Sequence, residues 1–90
     1  MNKRVQAVYS GRVQGVGFRF TAERFARDFS IAGSVKNLPD GKVKIVAEGQ
    51  EKDLRSFLAR INEYFERNIN DIDLSWQEPT SEFSGFEVTF

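Results

Sequence analysis

Residues 11–19 read GRVQGVGFR and separate a segment of alternating apolar residues from a segment of helical apolar spacing. The glycines at positions 11, 15 and 17 permit positive φ angles and let backbone N–H groups approach a ligand without a Cβ in the way. A helix that follows such a loop begins with N–H groups that have no helical partner and carry partial positive charge. The stretch therefore predicts a strand-to-helix loop that wraps an anion.

Arg19 strengthens the prediction of an anionic ligand. A cation in the first turn of a helix opposes the helix dipole by roughly 0.3–1 kcal/mol, so it needs a negative partner. The sequence offers none nearby, because residues 1–22 contain no aspartate or glutamate and the first acidic residue is Glu23. A glycine-rich connection with solvated arginines is the alternative, and it stays open at this point.

The composition restricts the chemistry and the partners. We expect residues 1–90 to form a single domain, because domains cluster near about 100–150 residues. The chain has no cysteine and no histidine, which excludes thiolate nucleophiles and histidine bases and disfavours a zinc or iron site. The 13 lysines and arginines balance the 13 aspartates and glutamates, so no overall field attracts nucleic acid or anionic lipid. We expect neither a nucleic-acid partner nor a membrane partner.

The sequence also predicts where the protein is located. No apolar run approaches the roughly 18 residues of a membrane span, and no signal peptide opens the chain. We expect a cytoplasmic protein, and we expect it to be a monomer.

The apolar periodicity predicts the order of the secondary-structure elements. Alternation indicates strands, and spacings of three and four indicate amphipathic helices. Proline followed by Asp-Gly at residues 39–41 indicates a tight turn between two strands. The predicted elements are strands at 4–11, 31–37, 42–47, 71–77 and 86–90 and helices at 18–29 and 51–65.

This order is β-α-β-β-α-β with an added strand, and it predicts an α+β, ferredoxin-like split β-α-β sandwich. In this fold two helices cover one face of an antiparallel sheet, with one face dry and the other wet. The first two strands run parallel with the third between them, so the glycine loop and Asn37 end at the same edge. These strands lie about 10 Å apart, twice the roughly 4.7–4.9 Å spacing, which leaves room for a phosphate and a water between Arg19 and Asn37.

Two blocks of sequence resemble a known family. Residues 11–19 resemble the acylphosphatase signature, residues 33–43, GSVKNLPDGKV, resemble its second block, and the likeness extends over the whole chain. The resemblance implies hydrolysis of the carboxyl–phosphate bond of a small-molecule acyl phosphate, with inorganic phosphate or sulfate as a product-like ligand. It implies no metal and no other cofactor. The resemblance implies that the phosphate is bound by backbone N–H groups of Gln14, Gly15, Val16, Gly17 and Phe18 together with the side chain of Arg19. The implied catalytic residues are Arg19 and Asn37.

The chemistry of an acyl phosphate suits this set of residues. The substrate is a mixed anhydride with a good carboxylate leaving group, so hydrolysis needs charge neutralisation and placement of water more than a strong base. An asparagine amide binds water but is not a base at neutral pH. We therefore expect Asn37 to orient the water, and we expect its proton to pass to a phosphate oxygen of the substrate.

Three alternatives accompany this interpretation. Asn37 is also typical of a residue that flanks a turn. Residues 85–90, GFEVTF, resemble part of the motif of an RNA-binding module of the same topology, although that motif belongs on the third strand of a basic domain. A non-catalytic or regulatory anion-binding module of the same fold is the third, and turnover of a simple acyl phosphate separates it from an enzyme.

Overall fold

The computed structural model describes residues 2–90, and its elements follow the predicted order. The elements are β1 (Asn2–Gly11), α1 (Phe18–Ala26), β2 (Ile31–Asn37), β3 (Val43–Gln50), α2 (Glu51–Tyr64), β4 (Ile69–Gln77) and β5 (Phe86–Thr89). The α+β sandwich predicted from the periodicity is confirmed.

The sheet has the strand order β4-β1-β3-β2-β5. β3 is antiparallel to both β1 and β2, so these two strands run parallel on either side of it, as predicted. The added strand β5 pairs with β2 in parallel, which makes the sheet mixed at this edge. The reason is the path of the chain. β4 ends beside Arg4, and residues 78–85 then cross to the opposite edge of the sheet, so β5 begins at the end where β2 begins.

The two helices cover one face of the sheet, and the core lies between the helices and the sheet. Phe18 opens α1 and is 2% exposed, with its ring centroid 5.0 Å from that of Tyr9 and 4.6 Å from that of Phe65. Burial of such a side chain is worth about 1.5–3 kcal/mol. The first turn of α1 is therefore fixed by the core. The other buried apolar residues are Val5, Ala7, Val13, Ala22, Ala26, Val35, Val43, Ile45, Val46, Ala47, Leu54, Phe57, Leu58 and Ile61.

The first helix is shorter than the periodicity predicts. It was expected to reach Phe29, but it ends at Ala26, and the backbone of residues 27–29 closes with bonds to carbonyls three residues earlier. Such tighter bonds commonly finish a helix. Phe29 still contacts the core, with its ring centroid 6.3 Å from that of Phe57. Phe29 is therefore apolar because it packs against the core, and not because it continues the apolar face of α1.

The open face of the sheet is not wet throughout. Val46 alternates with Val43, Ile45 and Ala47 along the third strand, which predicts it on the wet face, yet it is 7% exposed, and so is Glu48. The crossing segment, residues 78–85, explains this because it lies over the strands here. The Glu48 carboxylate accepts hydrogen bonds from the N–H groups of Thr80 and Ser81, both at 2.9 Å. It also accepts one at 2.8 Å from Arg4, whose guanidinium is 2.6 Å from Glu82.

The last phenylalanine departs from the predicted strand pattern. Phe86 and Val88 pack against the core, as alternation predicts, and Phe86 lies 5.5 Å from Phe57 between ring centroids. Phe90 lies outside β5 and is 88% exposed. Leu74 is also exposed, because β4 is an edge strand.

The open face also bears on the RNA-binding alternative. That alternative needs aromatic side chains on the open face for base stacking. The alternation and register of β1 to β5, over residues 2–90, turn the strand aromatics Tyr9, Trp76 and Phe86 toward the helices.

Neither α1 nor α2, the helices of the described chain, is long and apolar enough to cross a membrane.

The stability that Glu48 contributes through its bonds to the crossing segment depends on pH. Burial by itself would raise the pKa of the Glu48 carboxyl, but hydrogen bonds from Thr80, Arg4 and Ser81 outweigh it and lower this pKa to about 2. A carboxyl whose pKa is lower in the folded state contributes stability above its unfolded pKa and loses it as the pH falls toward the folded pKa.

We expect Glu48→Gln to lower the free energy of unfolding at pH 7 by about 1.5–3 kcal/mol, the usual worth of hydrogen bonds to a charged group. The wild-type protein should lose this contribution between about pH 4.5 and about pH 2, while the variant should not. Denaturant unfolding at several pH values measures both. Glu66→Gln is the control, since Glu66 is exposed and forms no ion pair within residues 2–90. Equal acid sensitivity of wild type and Glu48→Gln would contradict the assignment.

Candidate active site

The loop between β1 and α1 changes direction at two glycines. Gly15 has φ 76° and Gly17 has φ 81°, both in the left-handed region that disfavours side chains. Gly17 is also the N-cap of α1, and no side chain caps the helix. The first turn of α1 contains no acidic residue. The positive end of the helix dipole is therefore left open toward the loop.

Backbone N–H groups accumulate at this point. Arg12 N–H donates to the carbonyl of Asn68 at 2.9 Å, and the next such donor is Thr21, whose N–H reaches the carbonyl of Gly17 at 3.0 Å. Between them, the N–H groups of residues 14–18 donate to no protein acceptor within residues 2–90. Consecutive donors of this kind form an anion-binding concavity.

The loop is held to the neighbouring β2–β3 turn by one side chain. The Gln14 amide donates from Nε2 to the carbonyl oxygens of Leu38 and Lys42, both at 2.8 Å. The sequence predicts a role only for the backbone N–H of Gln14, so this side-chain contact was not expected. The signal was available, because Gln14 is the only residue of 11–19 with a side-chain amide, and its NH₂ group can bridge two carbonyls.

The start of the loop requires glycine for a different reason. Gly11 has φ 121°, and a Cβ on it would lie 2.3 Å from the carbonyl oxygen of Asn68. The pairing of β1 with β4 also shifts register between Ser10 and Gly11. The chain thus leaves the sheet by a close backbone contact that no side chain permits.

Arg19 lies in the first turn of α1 and is half-buried. Its Nη1 donates to the Thr89 carbonyl at 3.5 Å, and its Cζ is 4.6 Å from the centroid of the Phe90 ring. No carboxylate of residues 2–90 lies within 4 Å of its guanidinium, in agreement with the prediction that this region supplies no negative partner. The guanidinium is positioned by a carbonyl and an aromatic face, and most of its N–H donors have no protein partner.

Asn37 is the last residue of β2 and pairs with Val43 of β3. The turn that follows is closed by the Leu38 N–H on the Lys42 carbonyl at 2.8 Å and by the Asp40 carboxylate, which accepts from the Lys42 N–H at 3.1 Å. Within residues 2–90 the Asn37 side chain forms no hydrogen bond. The turn therefore closes without the amide of Asn37.

One cleft of about 120 Å³ joins these groups. Liquid water occupies about 30 Å³ per molecule, so the cleft has room for a few small polar groups. Its residues are Val13, Gly15, Gly17, Phe18, Arg19, Phe20 and Asn37. Gln14 and Val16 belong to the loop but not to this lining. The only charged side chain among the lining residues is Arg19, so the cleft favours an anion.

A larger, more open depression of about 380 Å³ lies at the opposite end of the sheet. It is lined by Asn2, Lys3, Trp76, Gln77 and Glu78. It contains none of the predicted site residues and no glycine loop, so the smaller cleft is the candidate active site.

Comparisons with known proteins match nearly the whole chain to one family. The family profile described as acylphosphatase matches residues 5–88. The acylphosphatase of Lactobacillus gasseri is 39% identical over 90 residues, covering 98% of this chain and 99% of that protein. The crystal structure of acylphosphatase from Bacillus subtilis superposes with a TM-score of 0.87 at 31% identity, covering 98% of this chain and 99% of that one.

A longer protein contains the same fold. The crystal structure of full-length HypF in its phosphate- and nucleotide-bound form matches with a TM-score of 0.80 at 26% identity, over 100% of this chain but 12% of that chain.

The fold, the site and the full-length relatives together define the class: this chain belongs to the acylphosphatase family. It is an enzyme that hydrolyses acyl phosphates to a carboxylate and inorganic phosphate.

We expect Gln14→Ala to loosen the glycine loop from the β2–β3 turn. Because two hydrogen bonds are lost while the backbone donors remain, kcat/KM on an acyl phosphate should fall by roughly tenfold with about 1–3 kcal/mol lost at the site. Amide hydrogen exchange should accelerate at Arg12 and Thr21, the hydrogen-bonded N–H groups on either side of the loop. Gln6→Ala on β1 is the matched control and should change neither quantity. Unchanged exchange in Gln14→Ala would show that the loop holds its shape without this clamp.

Proposed function

We propose that the cleft between the glycine loop and Asn37 holds the reacting phosphoryl group, and that water attacks it there without a metal. The observation that carries this proposal is the run of N–H groups of residues 14–18 without protein acceptors, which leads into Arg19 at the start of α1. In this proposal the phosphate is bound by Gln14, Gly15, Val16, Gly17, Phe18 and Arg19.

In this proposal the loop and Arg19 bind different oxygens of the phosphate. Backbone donors and the helix terminus bind anionic oxygens. Arg19 adds a planar fork that fits two oxygens at once. Charge on the phosphoryl and leaving oxygens changes as the anhydride bond breaks, and donors already in place stabilise it without reorganisation. The left-handed Gly15 and Gly17 support this role, because they bend the loop into a concave shape.

Asn37 is proposed to hold the attacking water. Asn37 lines the same cleft as Arg19, and its amide is not needed to close the adjacent turn, which supports a role in binding water. The water oxygen forms a bond to phosphorus while the bond from phosphorus to the carboxylate oxygen breaks. The amide is no base, so the proton passes to a phosphate oxygen, and the products are the carboxylate and inorganic phosphate.

Metal-independent hydrolysis belongs to the same proposal. The cleft is lined by apolar side chains, a guanidinium and one amide, a donor set without the carboxylates that bind Mg²⁺ or Ca²⁺. The guanidinium supplies the positive charge that a metal would otherwise supply.

The remaining expectations are also proposals. A single core shared by all seven elements supports residues 1–90 as one domain. The proposed enzyme is a cytoplasmic monomer, and light scattering measures its oligomeric state directly.

Inorganic phosphate or sulfate should bind as a product-like ligand. At 100 times its dissociation constant a ligand adds about 2.7 kcal/mol to the free energy of unfolding, so the melting temperature should rise with phosphate concentration. Phosphate should also inhibit competitively, and EDTA should leave turnover unchanged. Activity that is lost on chelation and restored by a divalent cation would contradict the proposed mechanism.

Arg19→Lys should lose nearly as much activity as Arg19→Ala. Lysine retains the charge but does not present two parallel N–H donors, so kcat/KM should fall by roughly 10²-fold or more in both variants. Arg12→Lys is the matched control, because Arg12 is an exposed arginine of the same loop that does not line the cleft. Near-normal turnover of Arg19→Lys would mean that Arg19 acts only as a distant positive charge.

Asn37→Ala should lower kcat by roughly 10²-fold while KM and phosphate affinity stay close to wild type, the pattern of a contact made chiefly in the transition state. Asn37→Asp should lose phosphate affinity as well, because its charge faces the phosphate across a short gap. Steady-state kinetics and phosphate titration separate the two effects. Wild-type kcat in both variants would mean that Asn37 serves only the turn.

A further inference from the structure

Two exposed aromatic side chains lie beside the candidate active site. Phe20 on α1 is 57% exposed and lines the cleft together with Arg19 and Asn37. Phe90 follows β5 and is 88% exposed. The two ring centroids are 6.5 Å apart at an interplanar angle of 51°. Neither ring is buried in the core, and together the two rings form a small apolar surface at the cleft.

Arg19 ties this surface to the phosphate position. Its Cζ is 5.9 Å from the Phe20 centroid and 4.6 Å from the Phe90 centroid. A phosphoryl group bound by this guanidinium must therefore lie close to both rings. In an acyl phosphate the acyl carbon is joined to phosphorus through a single oxygen, so the acyl group cannot extend far from the rings either.

We propose that Phe20 and Phe90 form an acyl subsite that favours substrates with an aromatic acyl group over those with a short one. This inference rests on the proposed phosphate position between the loop and Asn37. Aromatic rings attract one another at centroid distances of about 4.5–7 Å, and the spacing of Phe20 and Phe90 leaves their exposed faces and edges accessible to a third ring. An acetyl group offers only one methyl for the same contacts.

A different role for the rings makes a different prediction. Aromatic faces next to a guanidinium also hold it by cation–π attraction. If the rings only position Arg19, their removal should weaken the binding of every substrate and of inorganic phosphate to the same extent. An acyl subsite instead makes the loss depend on the acyl group.

The test compares benzoyl phosphate with acetyl phosphate in the wild type, Phe20→Ala and Phe20→Leu. Each kcat/KM is divided by the wild-type value for the same substrate, so the different intrinsic reactivities cancel. In Phe20→Ala the ratio of benzoyl to acetyl kcat/KM should fall by roughly tenfold, since contacts in an apolar pocket discriminate by about 10-fold or more. Phe20→Leu should retain part of the preference. The inhibition constant of phosphate should stay within about twofold of wild type.

Tyr64→Ala is the matched control for the loss of an exposed aromatic. Tyr64 lies on α2, is 60% exposed and does not line the cleft, so the substrate ratio should not change. Melting temperatures of all variants show whether each protein is folded. In Phe90→Ala the benzoyl substrate should again lose more than the acetyl substrate, on top of a general loss, because Phe90 is the nearer ring to Arg19.

Two results would overturn the subsite. An equal loss on both substrates in Phe20→Ala, together with weaker phosphate inhibition, would assign the ring to the positioning of Arg19. Unchanged kcat/KM on both would show that the acyl group does not reach Phe20 and leave the ring to another partner. Failure of the proposed catalytic site would appear separately, as full activity of Arg19→Ala on both substrates.

Discussion

The burial of Phe18 between Tyr9 and Phe65 is the contact on which the site depends. The same residue packs in the core and lines the cleft, so the energy that forms the hydrophobic core also fixes the first turn of α1 at the edge of the sheet. A helix terminus held in this way cannot turn its N–H groups away from the loop. The geometry proposed to bind an anion is therefore preorganised by apolar packing, which costs nothing further when a ligand arrives.

The two ends of the sheet use polar groups in opposite ways. At one end Glu48, Arg4 and the crossing segment satisfy one another, and this network fastens the long connection between β4 and β5. At the other end, within residues 2–90, the backbone N–H groups of residues 14–18 and the Asn37 side chain have no protein partner, and Arg19 donates only to the Thr89 carbonyl. Buried groups that pair internally add stability, whereas groups reserved for a ligand do not. The polar groups that fasten the crossing segment are thus distinct from the polar groups proposed to bind an anion.

The resemblance and the periodicity predicted much of the fold and most of the proposed site, but not the contacts between segments distant in sequence. Glycine spacing and the absence of acidic residues were readable from residues 1–22 because they are local. Gln14 reaches carbonyls of Leu38 and Lys42, and no period in the sequence encodes that contact. The burial of Val46 was missed for the same reason, because the covering segment follows it by more than thirty residues.

The alternation of helix and strand, the glycine loop with positive φ angles and the types of residue available for chemistry are predictable from the sequence, because they depend on neighbouring residues. Which of these residues meet depends on the tertiary structure. It placed Asn37 in the cleft of Arg19, the Gln14 side chain on the opposite turn, and Phe90 in solvent beside Phe20 and not in the core. The physical reason is that strand order and crossing direction arise from packing of the whole sheet, and a side chain's surroundings follow from them.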